Sequence, residues 1–368
     1  MSYEIELNEK QIGKILSKYT SMKYKIDKII DSSKDDIDIR KNYCLSFEDG
    51  SEFVLKITNN SFTTPERIKG WKVLSELYKD NEIYCPQIKE IENGQCCVEA
   101  ISESGKTYIA YLEEKKKYKT VWEYIKEHGE DEKEKRELEA KFDNLDFYGR
   151  VLETIGVIAN VSRKLVNWPT PYCLYETFCI EDKNDENYEF AEIFYNLCKK
   201  QKHVDKEFLN SIWRIYIKKK VKFENEYRKL PKAVFQSDLN SSNVLIDEEL
   251  NFSGLIDFNI SGTETILNYA ICESLYYLNY DDLKSLDSIE TAEKYDSHFN
   301  KAMACIKKHY TFTQEENKAF LTLYNIVAPF RFPNISLFIG AIEKGETQYL
   351  DSMLRWIYKE LTREDLKL

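Results

Sequence analysis

The chain has 368 residues, 53 of them basic and 64 acidic, for a net charge of −11. That balance argues against a nucleic-acid binder, which needs a basic footprint over phosphates. A hydrophobic fraction of 42% beside 32% mixed charge excludes a disordered chain and fits two domains or one large bilobal one.

Residues 6–19 read as a short amphipathic helix. Three strands follow near 23–31, 39–47 and 52–58, the last two joined at Asp49-Gly50, a strong hairpin signal. Thr64 can cap a helix, Pro65 suits its first position, and apolar residues recur at Ile68, Trp71, Leu74, Leu77 and Tyr78. After Pro86, QIKEIENGQCCVEA and KTYIAYL read as two more strands, so a five-stranded sheet with one inserted helix ends near Leu112. The charged run 113–119 is the candidate boundary, dividing the chain into 1–112 and 113–368. Beyond it, helices are expected near 120–128, 131–165, 187–201 and 205–229, with a solvated loop at 181–187. Two short strands, Val244–Ile246 and Gly254–Ile256, interrupt the helical part, which resumes near Glu264.

The chemistry concentrates between Asp238 and Asp257. Asp238 and Asn243 sit five apart on a Ser/Asn-rich loop, and Asp257 ends the second strand of the hairpin that follows. A hairpin brings its ends together, so Asn243 and Asp257 should converge. One amide and one carboxylate oxygen there suit magnesium, with water and phosphate completing the shell. Asp238 could then face an acceptor hydroxyl as base or orienting group. Asp and Asn are also ordinary turn formers, so the D-x-x-x-x-N spacing alone would not carry this reading.

The segment QSDLNSSNVLID…GLIDFN resembles the signature of the aminoglycoside phosphotransferase and choline kinase group, relatives of protein kinases. The resemblance implies a bilobal, protein-kinase-like α+β fold: an N-terminal nucleotide-binding lobe with a five-stranded antiparallel sheet and one helix, then a larger, mostly helical C-terminal lobe. It implies Asp238 as catalytic aspartate, Asn243 and Asp257 as ligands of Mg2+, and ATP or GTP as phosphoryl donor. Lys56, in FVLKI on the third strand, matches the lysine that binds the α/β-phosphates, and a helix glutamate holds that lysine in relatives. Family spacing puts that glutamate near Trp71; by helix geometry Glu66 is the candidate, while Glu76 among Lys72, Lys79 and Asp80 faces solvent. The first strand–strand loop, SSKDD, has no glycine, so backbone amides with Ser32 and Ser33 are the candidate hydrogen-bond donors to phosphate, which Asp35 and Asp36 would repel if they faced it. Gln236-Ser237 replaces the usual His-Gly, and Asn268 stands where relatives carry Asp.

The segment after Asp257 is too short for a protein kinase's activation loop, which favours a small-molecule acceptor. Glu264, Glu273, Asp281 and Asp282 are candidate acceptor contacts and suit a cationic compound, aminoglycoside-like or an amino alcohol. The expected function is transfer of a γ-phosphoryl group to a small-molecule hydroxyl; the alternative is a catalytically inactive, kinase-like binding protein. His128, His203, His298 and His309 read as surface residues. The nine cysteines lack C-x-x-C spacing, no run reads as a membrane span, and the N-terminal stretch is charged from Glu4 onward, so a cytoplasmic protein without membrane or nucleic-acid partners is expected.

Overall fold

The computed structural model describes residues 7–35, 37–165 and 168–368; Asp36 and the first residue of the helix expected over 6–19 lie outside them. In chain order the elements are α1 (Glu9–Leu16), β1 (Tyr24–Asp31), β2 (Arg40–Phe47), β3 (Glu52–Thr58), α2 (Pro65–Asp80), β4 (Val98–Ile101), β5 (Thr107–Glu114), β6 (Lys119–Thr120), α3 (Val121–His128), α4 (Glu132–Asp143), α5 (Leu145–Val161), α6 (Glu186–Lys200), α7 (Lys206–Tyr227), β7 (Lys232–Phe235), β8 (Val244–Ile246), β9 (Phe252–Leu255), β10 (Gly262–Thr265), α8 (Ile266–Ser274), α9 (Ile289–Lys307), α10 (Gln314–Val327), α11 (Phe332–Glu343) and α12 (Leu350–Thr362). The class is α+β, with the element order that the resemblance implies.

Two compact units form: residues 1–139 with 238–261, and residues 140–237 with 262–368. The division expected at 112/113 instead cuts through β5, which runs on to Glu114. Glu113 and Glu114 have the look of a solvated linker, yet both are strand residues.

In the first unit the sheet is antiparallel, ordered β1-β2-β3-β5-β4. Alternation sorts its residues onto two faces. On β2, Lys41, Tyr43, Leu45 and Phe47 are buried while Arg40, Asn42, Cys44 and Ser46 are half-buried. The buried face, with Leu55, Ile57, Tyr108 and Ala110, is closed by Ile12, Ile15 and Leu16 of α1. Asn8 and Gln11 form a capping box that starts α1. On the other face the register aligns Ile30, Asn42, Lys56 and Tyr111 across four strands. Helix α2, capped by Thr64, buries Ile68, Trp71, Leu74, Ser75 and Tyr78, and Trp71 meets the Tyr111 ring at 5.9 Å. The strand expected from Gln87 begins only at Val98, because Asn93-Gly94 turns the chain, with Gly94 at φ 78°.

The second unit is mostly helical, with a small β10-β7 ladder that pairs Gly262 with Phe235. The helix expected over 131–165 is broken at Asn144, whose side chain accepts from the Asp146 amide and caps α5. One run, Gln314–Glu343, is long and apolar enough by itself to cross a bilayer, contrary to the expectation that no run would be. It is split between α10 and α11, and 67% of its most apolar window is buried, as for core helices.

His298, on α9, differs from the surface position expected of it. It is half-buried with its ring against Tyr276 at 5.4 Å, and burial, helped by Lys301, holds its pKa down to about 4 against an ordinary 6.5. As pH falls the unfolded chain takes the proton first, so stability present above 6.5 is lost as pH drops toward about 4. His298→Phe keeps the aromatic contact without the titration. Its melting temperature is expected to fall less than that of the wild type over this interval; identical pH profiles by circular dichroism would contradict this.

Candidate active site

The site residues of the first unit come from three pieces of chain. The loop Asp238–Asn243 is a network of side-chain bonds. Asn240 Nδ2 donates to Asp238 Oδ1 at 2.5 Å, and Asn243 Nδ2 donates to Asp238 Oδ2 at 2.8 Å and to the Asp238 carbonyl at 3.1 Å. Asn240 Oδ1 accepts the Ser242 amide at 2.8 Å, and the Asn240 carbonyl accepts the Asn243 amide at 2.9 Å. The Trp122 amide, at the start of α3, donates to the Ser241 carbonyl at 2.9 Å and anchors the loop. These short polar side chains bind nearby backbone in place of a regular element.

The hairpin of β8 and β9 supplies the second piece. Val244 pairs with Leu255, and the Ile256 amide donates to the Asn243 carbonyl at 3.0 Å, so the residue before Asp257 is tied to Asn243. The convergence expected from the hairpin is present. Asp257 itself has φ 61°, and Ser237, just before Asp238, has φ 66°. Left-handed backbone at non-glycine residues is strained and gathers at functional sites. Next to Asp257, the Phe258 ring stands edge-on to Tyr78 of α2 at 5.4 Å.

Strands β3 and β5 supply the third piece. Lys56 Nζ lies 2.7 Å from Glu113 Oε2, with the two side chains 22% and 12% exposed. Burial works against the Lys56 ammonium, but Glu113, Tyr111 and Asp257 outweigh it and hold its pKa above the ordinary lysine range. The ammonium also sits 5.7 Å from the Tyr111 ring centroid.

The structure corrects several sequence expectations. Glu66 is not the partner of Lys56. It is exposed on the first turn of α2, in a groove with Pro65, Lys69, Cys96 and Cys97. Glu76 points outward as expected, paired with Lys72 at 2.5 Å. Ser33 Oγ accepts the Arg40 amide at 2.9 Å and Ser32 Oγ contacts the Arg40 carbonyl at 3.4 Å, so both hydroxyls close their own loop.

In the second unit, Glu264 is fully buried and accepts from Tyr227 Oη and the Thr265 amide, each at 2.5 Å. It belongs to the core and does not line an opening; burial pushes its carboxyl pKa up against these bonds. Glu273 is 3% exposed, with Tyr148 Oη at 3.3 Å and Arg331 at 3.7 Å. Asp282 holds the Asn279 amide at 2.9 Å and Lys294 at 3.0 Å. Asp281 is exposed and pairs with Lys284 at 2.7 Å. Asn268 is buried and donates through Nδ2 to the Tyr172 carbonyl at 2.9 Å, a bond that an ionised aspartate could not make. The second unit also has an acidic recess of about 240 Å³ among Glu176, Asp182, Glu186 and Glu189, beside Phe178. Part of its lining comes from 181–187, where only a solvated loop is expected from sequence.

Two residues that sequence reasoning missed stand in the site, Glu113 and Asn240. Asn240 had a signal, since it continues the Asp238/Asn243 pattern of Asx turns. Glu113 had one only in the sheet register.

No protein-family profile matches the chain, and no curated protein matches it. Solved structures do resemble it. Amicoumacin kinase hAmiN, solved with AMP-PNP, Ca2+ and Ami, is 13% identical, with a TM-score of 0.45 over 97% of this chain and 94% of its own. A microcompartment-associated aminopropanol kinase is 10% identical, with a TM-score of 0.48 over 94% of this chain and 98% of its own. An aminoglycoside phosphotransferase from Alicyclobacillus acidocaldarius is 12% identical, with a TM-score of 0.43 over 98% of each chain.

Proposed function

We propose that this protein transfers the γ-phosphoryl group of ATP or GTP to a hydroxyl of a small molecule. The observation that carries the reading is that Asn243 bonds Asp238 through its side chain and accepts the amide of Ile256, the neighbour of Asp257, through its main-chain carbonyl, in the same compact unit as Lys56. Lys56 meets the donor's phosphates with its ammonium. Asp238, its carboxylate fixed by two amides, accepts the proton of the acceptor hydroxyl. That hydroxyl oxygen bonds to the γ-phosphorus, the bond from phosphorus to the bridging oxygen breaks, and the nucleoside diphosphate leaves.

The donor set fits magnesium. Asn243 commits its Nδ2 to Asp238, which leaves Oδ1 as its acceptor end, in a long 3.4 Å contact with Ser242 Oγ. With the Asp257 carboxylate it forms a hard oxygen pair of the kind that holds magnesium together with phosphate. The ion, when bound, neutralises phosphate charge.

On the sheet face beside Lys56, Cys44 pairs with Val54, and Val54 pairs with Glu113. The half-buried pair of Cys44 and Val54 is the shelf we assign to the nucleotide base. The acceptor is a small hydroxyl compound, and a cationic one of the aminoglycoside or amino-alcohol class, as the sequence resemblance implies, is the first to test. The nine cysteines are unpaired thiols, which suits the cytoplasm.

Magnesium with ATP or GTP is expected to raise the melting temperature, by the equivalent of about 2.7 kcal/mol at a hundredfold excess over Kd. It is also expected to slow alkylation of Cys44, read by peptide mass spectrometry. If neither nucleotide does either, the reading fails. Binding and shielding without turnover on amino alcohols, aminoglycosides, sugars or nucleosides would favour the inactive nucleotide-binding alternative.

A further inference from the structure

We infer that Glu113 of β5 is the carboxylate that positions Lys56 for the phosphates, in place of any acid on helix α2. The inference rests on the phosphotransfer reading above and adds a positioning residue to it.

Helix α2 has three acids, and none faces Lys56. Glu66 is exposed in the groove beside Cys96 and Cys97, Glu76 is paired with Lys72, and Asp80 is exposed at the last turn. The helix presents Trp71 to this part of the sheet, with its ring 5.9 Å from Tyr111. Trp71 is 2% exposed and its Nε1 has no hydrogen-bond partner among the described residues. The helix therefore brings a ring to the cluster and no countercharge.

The sheet supplies the countercharge. Lys56 lies opposite Tyr111 and Val54 lies opposite Glu113. Residues two apart on a strand share a face, so Lys56 and Glu113 are diagonal neighbours on the face away from α1. Long side chains cross that diagonal, and here they meet at 2.7 Å. A lysine this buried needs an opposite charge, and a pair with both members ionised is the arrangement that tolerates burial.

The source of the carboxylate has a consequence. Where a helix acid holds the lysine, movement of the helix makes or breaks the pair. In this chain both members sit on adjacent strands whose register is fixed by ladder bonds from Phe53↔Glu114 to Thr58↔Ile109. Displacement of α2 leaves the pair intact, so Lys56 stays aimed whether or not nucleotide is bound.

The test is acylation of Lys56 by an N-hydroxysuccinimide ester, read by peptide mass spectrometry with and without magnesium–ATP or magnesium–GTP. Nucleotide KM and kcat are read alongside it from phosphate release in the absence of acceptor. The chains compared are wild type, Glu113→Gln, Glu113→Asp and Glu66→Ala. In Glu113→Gln, Lys56 should label faster and kcat/KM should fall by roughly tenfold to a hundredfold, the range expected for a displaced phosphate contact. Glu113→Asp should fall between Glu113→Gln and wild type in both readouts, and Glu66→Ala should match wild type. If Glu113→Gln does not fold, Glu113→Asp carries the test, and its identity with wild type in labelling and KM overturns the inference. Nucleotide that shields Lys56 in wild type while the Glu113 variants behave like it sinks the Glu113 assignment alone. Nucleotide that fails to shield Lys56 in wild type sinks the phosphotransfer reading itself.

Discussion

Asp238→Ala is expected to lower kcat by roughly 10²- to 10⁴-fold, the usual contribution of a positioned general base. Nucleotide binding should persist, because Asn243 Nδ2 also donates to the main-chain carbonyl of residue 238 at 3.1 Å, an acceptor that alanine keeps. Asn240 loses its carboxylate partner but is exposed, so water can replace it at little cost. The expected signature is a nucleotide-induced melting shift equal to that of the wild type, with turnover nearly gone. An Asp238→Ala enzyme with wild-type kcat would remove the base from the mechanism. Loss of the melting shift would instead mean that the carboxylate is needed to build the nucleotide site.

Gly254→Ala is expected to cost about 3 kcal/mol or more, at the upper end of what forced overpacking produces. A Cβ there would lie 2.0 Å from the Tyr84 carbonyl oxygen and 2.8 Å from its carbon. Both neighbours are backbone, and Leu255 donates to that same oxygen at 2.9 Å, so neither side can yield without breaking a bond that seats β9. Asp257 follows two residues after that bond, so activity should fall together with stability. Gly340→Ala, on α11, is the control. A Cβ there would meet nothing within 4 Å, and alanine in a helix should leave stability equal or about 0.5–1 kcal/mol higher. Equal melting temperatures for Gly254→Ala and wild type would show that the Tyr84 contact yields.

The legible parts of this protein are local ones. The Asp49-Gly50 hairpin, the Thr64-Pro65 start of α2 and the convergence of Asn243 with Asp257 each depend on residues close in sequence, and each is present. What was not legible depends on distant pairing. The partner of Lys56 follows from the register of β3 on β5, and a boundary at 112/113 separates Glu113 from the strand whose face it shares. Strands β7 and β10 are four residues each and pair across the whole Asp238–Ser261 segment, with no turn signal between them. The acids expected at the acceptor mislead for the same reason. That Glu264 of β10 is sealed is decided by Tyr227 on the distant helix α7, whereas in the sequence it reads as one more charged residue near a loop.

The first unit is discontinuous, since residues 238–261 complete it after residues 140–237 have been spent on the second. During synthesis the five-stranded sheet can close as soon as β5 emerges, but with Lys56 and Glu113 waiting on a face that lacks Asp238, Asn243 and Asp257. Joining the late segment to the early sheet costs the entropy of closing a long loop, which grows only slowly with length and falls once the intervening chain has folded. The order of emergence from the ribosome therefore places assembly of the proposed phosphate site among the last events of folding, after both hydrophobic cores have begun to form.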